Sequence, residues 1–71
     1  MLVYNIITPI KNEEKHIAMT ISSILNQSHK PNNWLIIDDH STDQSNLIVS
    51  KYVKKYDFIS LVSAPNIDIA E

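Results

Sequence analysis

Trp34-Leu35-Ile36-Ile37-Asp38-Asp39-His40-Ser41-Thr42-Asp43-Gln44 holds a strand, a turn and a helix start in one stretch. The apolar run from Trp34 to Ile37 suits a short strand buried on both faces, and the two aspartates close it. Ser41-Thr42-Asp43-Gln44 has the spacing of a capping box, with Ser41 as N-cap and Gln44 at the third helical position. The helix that follows reads to about Tyr56, with Ile48, Val49, Tyr52, Val53 and Tyr56 on its apolar side. Lys51, Lys54 and Lys55 cluster near its end, where cations complement the helix dipole. Their simplest reading is a solvated helix end, and the alternative is a weak pull toward an anionic membrane surface.

The same alternation extends outward. Leu2 to Thr8 is apolar or β-prone and reads as a first strand stopped by Pro9. Glu13 to Gln27 takes helical spacing, with Ile17, Ile21, Ile24 and Leu25 on one stripe. Asn12 is placed as its N-cap, Glu13 and Glu14 sit where the dipole favours negative charge, and His29-Lys30-Pro31 marks its end. Phe58 to Ser63 reads as a third strand, ended by Pro65. The order β-α-β-α-β predicts an α/β fold with a parallel sheet and right-handed crossovers.

Strands laid down successively in one direction would put both helices on one face. Ile6, Ile7, Leu35, Ile36 and Ile37 leave neither face polar, so the uncovered face would be apolar too. The expectation is therefore one incomplete α/β domain over residues 1–71, truncated at its C-terminus and open to self-association through the exposed sheet.

Composition narrows the chemistry. The chain has 71 residues, 44% of them apolar and 20% charged, as in an ordinary soluble globular protein. It contains no cysteine, which excludes disulfides and thiolate metal sites. It also contains no glycine, which excludes the P-loop, the dinucleotide fingerprint and the lipase elbow. The net charge is −2, with six lysines and no arginine, against the basic surplus of a nucleic-acid binder. No apolar run approaches the roughly 20 residues of a membrane span. The N-terminus has no basic leader before its apolar stretch, so the reading is cytoplasmic. Asn26-Gln27-Ser28 fits a glycosylation sequon and is read as coincidence.

In open parallel sheets, ligands bind at the carboxyl ends of the strands. Thr8 to Asn12, Asp38 to Ser41 and Ser63 to Asn66 fall there. The pair Asp38-Asp39 is the sharpest feature, because adjacent carboxylates repel unless they are solvated or satisfied by a ligand or cation. An ionised carboxylate only accepts hydrogen bonds, so it could receive the N–H groups of a base or ribose hydroxyls. The plainer alternative is that one aspartate caps the next loop or helix while the other points to water. His16, His29 and His40 are too scattered to converge on a metal, and Trp34 and the tyrosines suit core or half-buried packing.

Three segments together resemble the N-terminus of the family 2 glycosyltransferases, which have the nucleotide-sugar-binding GT-A fold. They are Thr8-Pro9-Ile10-Lys11-Asn12-Glu13-Glu14, Ser23-Ile24-Leu25-Asn26-Gln27 and Asp38-Asp39-His40-Ser41-Thr42-Asp43. His40 stands where the family usually has glycine, and histidine is among the residues that tolerate positive φ. Lys11 stands where many members carry a tyrosine able to stack on the base.

The resemblance implies transfer of a sugar from a nucleoside-diphosphate donor to a sugar or lipid-linked acceptor, as in cell-envelope polysaccharide synthesis. It also implies that Thr8 and Pro9 line the nucleotide site, that Asp39 holds the base, and that Asp38 assists or supports the loop. In the complete enzyme, Mg or Mn held by an Asp-x-Asp motif would assist departure of the diphosphate, and a further carboxylate would serve as general base. No Asp-x-Asp occurs here, so the chain is expected to carry no catalytic residue or metal ligand and to be inactive alone. The complete enzyme is expected to be cytoplasmic and membrane-peripheral. Two other readings compete. Leu35 to His40 is similar to the first strand of a receiver domain, but a whole strand and helix precede it here. A small non-catalytic interaction module would need a monomeric fold that these doubly apolar strands oppose.

Overall fold

A computed structural model describes residues 3–64. The order is β1 (Asn5–Ile10), α1 (Ile17–Leu25), β2 (Asn33–Asp38), α2 (Ser45–Lys55) and β3 (Ile59–Ser63). The sheet runs β1-β2-β3, all parallel. This is the α/β arrangement expected from the sequence, a small partial Rossmann-like half.

Strand parity and the helices divide the sheet into unlike faces. Ile10, Trp34, Ile36 and Ile59 are buried with Ile17 and Ile21 of α1 and Val49 of α2 in a single core. Among the described residues nothing covers the other face, where Ile7 is 67% and Val62 44% exposed beside half-buried Leu35 and Ile37. Trp34 sits at the centre, fully buried, and its indole N–H donates to the Thr8 hydroxyl at 3.0 Å. That bond settles the one polar atom of the largest core side chain.

The boundaries move in instructive ways. β1 does not stop before Pro9: it extends to Ile10, and its expected start at Leu2 lies outside the described residues. Pro9 is tolerated because β1 is an edge strand. The Ile10 carbonyl accepts the Asp39 N–H at 2.8 Å, so alternation turns the nitrogen of Pro9 toward the open edge. The third strand's stop at Pro65 also lies outside the described residues.

Both helix starts differ from expectation. Asn12 is not an N-cap, for its φ is 53° whereas a cap residue takes extended angles. Helical bonding begins at the Glu13 carbonyl, which accepts from Ile17, and no acid lies in the first turn of α1. α1 closes at Leu25 with Asn26 as C-cap, short of Gln27. The capping box on Ser41 does not form either: α2 begins at Ser45 with no side-chain bond from its N-cap, Gln44. A good cap is worth about 1 kcal/mol, while each buried isoleucine or valine contributes about 1.5–3 kcal/mol. Packing of Ile17, Ile21 and Val49 therefore holds these helices without caps.

Candidate functional site

The polar residues at the helix starts are engaged with each other across the two loops at the carboxyl end of the sheet. The Asn12 N–H donates to Ser41 Oγ at 3.0 Å, and Asn12 Oδ1 accepts from the Thr42 N–H at 2.8 Å and the Thr42 hydroxyl at 3.3 Å. The Glu13 N–H donates to Ser45 Oγ at 2.7 Å, and the Glu14 N–H donates to Asp43 Oδ2 at 3.1 Å. Glu14 answers by accepting the Gln44 N–H at 2.8 Å. The β1–α1 and β2–α2 loops are thus locked by reciprocal side-chain-to-backbone bonds. Each supplies acceptors for the other's unpaired helix-start donors.

The lock includes two left-handed residues, Asn12 at φ 53° and His40 at φ 58°. Both belong to the residue types that enter this region most readily, so a chain without glycine still makes both turns.

The two aspartates have opposite fates. Asp38 shares the parity of Trp34 and Ile36 and is only 5% exposed. Its Oδ1 accepts the Ser41 N–H at 3.0 Å and its Oδ2 accepts from the Asn46 amide at 2.9 Å. Burial pushes this carboxyl up, but the bonds from Ser41 and Asn46 outweigh burial and hold it below the ordinary carboxylate value. Asp43 is also held below its ordinary value: desolvation raises it, and the bonds from Ser45 and from the Glu14 backbone overcome that. Asp39 points outward, with its side chain 55% exposed, and His40 Nδ1 lies 3.1 Å from its Oδ1. One aspartate is committed to the loop and the other keeps free acceptor capacity at the surface.

Of the four residues picked out from the sequence, Asp38 and Asp39 adjoin at the strand end. Thr8 pairs in register with Ile36, its side chain on the helix side and its hydroxyl accepting from Trp34. Pro9 pairs with Ile37 and is exposed on the uncovered face. Thr8 and Pro9 therefore address opposite faces of β1. The third loop, Ser63 to Asn66, is described only to Ala64, whose N–H donates to the Asp38 carbonyl at 2.8 Å.

Sequence reasoning missed the locking roles of Asn12, Glu14, Asp43 and Ser45. Ser45 is fully buried, yet nothing local marks it, since its partner Glu13 lies 32 positions away. Among the described residues no three histidine, aspartate or glutamate side chains group so as to hold a metal ion, and no helix is long and apolar enough to cross a membrane.

Residues 5–67 match Glycosyl transferase family 2. The chain is 35% identical over 65 residues to an uncharacterized glycosyltransferase of Haemophilus influenzae, an overlap of 92% of this chain and 26% of that protein. It is 40% identical over 50 residues to TuaG of Bacillus subtilis, a glycosyltransferase named for teichuronic acid biosynthesis, an overlap of 70% of this chain and 20% of that protein. The chain thus spans about a quarter of the length of these relatives or less. No solved structure matches it.

Proposed function

The chain belongs to glycosyl transferase family 2, and on that premise we propose that it forms the donor-binding half-site of a glycosyltransferase. The substrate of that half-site is a nucleoside-diphosphate sugar, and the acceptor is a sugar or lipid-linked hydroxyl. The observation that carries this reading is the division of labour between the aspartates. Asp38 is consumed in supporting the loop, which leaves Asp39 as an exposed acceptor at the carboxyl end of a central parallel strand. Asp39 receives the N–H groups of the base and Pro9 lies on the exposed side of β1, while Thr8 supports the strand from the core side through its bond with Trp34.

The uncovered apolar face fits a domain completed by further chain, and the greater length of the relatives supports that reading. The general base belongs to that remainder, and this segment alone is inactive. The divalent cation of the family's chemistry finds no ligand set among the described residues. Its ligands are assigned to the remainder, and no step here runs through it. The whole enzyme works at the cytoplasmic side in cell-envelope polysaccharide synthesis, a reading supported by the name of the Bacillus relative.

The test joins residues 1–71 to the C-terminal part of a family relative and titrates nucleoside diphosphate calorimetrically. Asp39→Ala removes a charged acceptor worth about 1.5–3 kcal/mol, a roughly 10- to 150-fold loss of affinity. Asp39→Asn weakens binding less, and Lys54→Ala leaves affinity within about twofold. Equal affinity for the wild type and Asp39→Ala would remove Asp39 from the site.

A further inference from the structure

The β1–α1 and β2–α2 loops leave the sheet side by side. Ile10 and Asp38 are the last register pair of β1 and β2, which makes Lys11 and Asp39 the next residues across. Two bonds to the second loop flank Lys11. The Asp39 N–H donates to the Ile10 carbonyl at 2.8 Å, and the Asn12 N–H donates to Ser41 Oγ at 3.0 Å. The Lys11 backbone is therefore pinned opposite Asp39 and His40. Lys11 and Asp39 both follow a buried residue, Ile10 and Asp38, and both are exposed.

The charges around this point are unequally matched. Asp38 accepts from Ser41 and Asn46, Asp43 accepts from the Glu14 and Ser45 N–H groups, and Glu14 accepts from the Gln44 N–H. Glu13 has His16 Nδ1 at 4.0 Å, and Asp39 has His40 Nδ1 at 3.1 Å. Among the described residues the Lys11 ammonium has no ion pair and no hydrogen bond. The other lysine near this end, Lys15, stands just ahead of α1. Lys30 lies between α1 and β2, and Lys51, Lys54 and Lys55 lie in the second half of α2.

We infer that Lys11 is a further donor-binding residue, its ammonium holding the diphosphate while Asp39 holds the base, an inference that rests on the donor site proposed for Asp39. A diphosphate brought to a rim carrying Glu13, Glu14, Asp39 and Asp43 is repelled unless a cation stands close to it. Lys11 is the cation that the strand register sets beside the base-holding aspartate. The donor then lies across the strand ends, with its base at β2 and its phosphates over the β1–α1 loop. Lysine suits that place, as a point charge on a flexible stem that can follow a phosphate from a fixed backbone. The competing role for Lys11 is an ion pair with Asp39. That pair is not formed, and it would engage the acceptor that the base needs.

Amide chemical-shift titration of the 71-residue chain tests it, with uridine, uridine diphosphate, guanosine and guanosine diphosphate as probes. A chelator is present, so that no divalent cation bridges the phosphates. The ratio of diphosphate to nucleoside affinity isolates the phosphate contact whichever base is preferred. The wild type binds the diphosphate more tightly than the matching nucleoside. Lys11→Gln loses about tenfold in diphosphate affinity and stays within about twofold for the nucleoside. Lys11→Arg keeps diphosphate affinity within about threefold, and Lys15→Gln, with the same change in charge as Lys11→Gln, leaves both affinities within about twofold. Lys11 and Lys15 are exposed, so these variants leave the core intact, and an unchanged far-ultraviolet spectrum verifies this. Asp39→Ala lowers nucleoside and diphosphate affinity by the same factor. Equal losses from Lys11→Gln and Lys15→Gln would reduce the effect to net charge and overturn the inference. So would a loss from Lys11→Gln that is equal for nucleoside and diphosphate, and in both cases Asp39 keeps its place. Absence of nucleoside binding, or nucleoside affinity unmoved by Asp39→Ala, removes the donor site itself and this inference with it.

Discussion

Asp38→Ala removes the acceptor of two hydrogen bonds at once, from the Ser41 N–H at 3.0 Å and the Asn46 amide at 2.9 Å. Bonds to a charged group are worth about 1.5–3 kcal/mol each, so their joint loss is about 3–6 kcal/mol. A chain of 71 residues has a total stability of about 4–10 kcal/mol, and one with an uncovered apolar face belongs at the low end. Asp38→Ala is therefore expected to abolish cooperative unfolding, or nearly so. Asp38→Asn is milder: it can still accept from Ser41, and the Asn46 amide can turn its oxygen toward the new side chain. Its expected loss is about 1–2 kcal/mol.

The assay is urea unfolding followed by fluorescence of Trp34, the single tryptophan, fully buried in the native chain. The pH dependence supplies a second check. The Asp38 carboxyl is held below its ordinary value of 3.8, so its contribution is complete above that value and disappears as pH falls through the lower native value. The gap between wild type and Asp38→Asn stays constant from neutrality down to about pH 5 and closes only below the ordinary value. A loss under about 1 kcal/mol for Asp38→Ala would refute the reasoning, as would a gap that persists unchanged to about pH 2.

Asn12→Ala removes the acceptor shared by the Thr42 N–H and hydroxyl and places a Cβ without a polar group at φ 53°; urea titration is expected to show a loss of about 1.5–3 kcal/mol. Asn12→Gly, which enters positive φ freely, should lose less, and the difference between the two measures the backbone share. Ile7→Lys with Val62→Lys charges the uncovered sheet face at two exposed positions and should lower self-association in sedimentation velocity with little change in stability. Unaltered association would move the contact to the strand edges.

Much of this fold was legible because apolar periodicity is local. Trp34 to Ile37 and Ile17 to Leu25 declare their elements from side chains a few positions apart, and three strands in one direction force both helices onto one face. The helix starts were not legible because their partners are distant. Asn12, Ser41, Thr42 and Asp43 have the composition of caps, and local spacing favours capping within each loop. The fold instead brings the two loops side by side: Asn12, Ser41 and Thr42 spend their oxygens on the other loop, 29 or 30 positions away, and Asp43 divides its two between Glu14 and Ser45. Pro9 misled for a related reason, since its cost in a strand depends on whether a neighbour lies on that side, a property of the sheet.

The acidic pair shows where local pattern and fold jointly decide a role. As a dipeptide, Asp38-Asp39 gives no ground for telling its members apart. Once one sheet face is covered and the other is not, alternation separates them: Asp38 has the parity of Trp34 and Ile36 and must enter the covered side. A carboxylate there needs donors, and the turn at His40 brings the Ser41 N–H back to meet it while α2 brings Asn46. Asp39, one position on, escapes that demand and remains exposed at the rim, with His40 as its neighbour. The residue that could serve a ligand is therefore the one the core does not need, and the lock between the loops fixes its backbone without using its carboxylate.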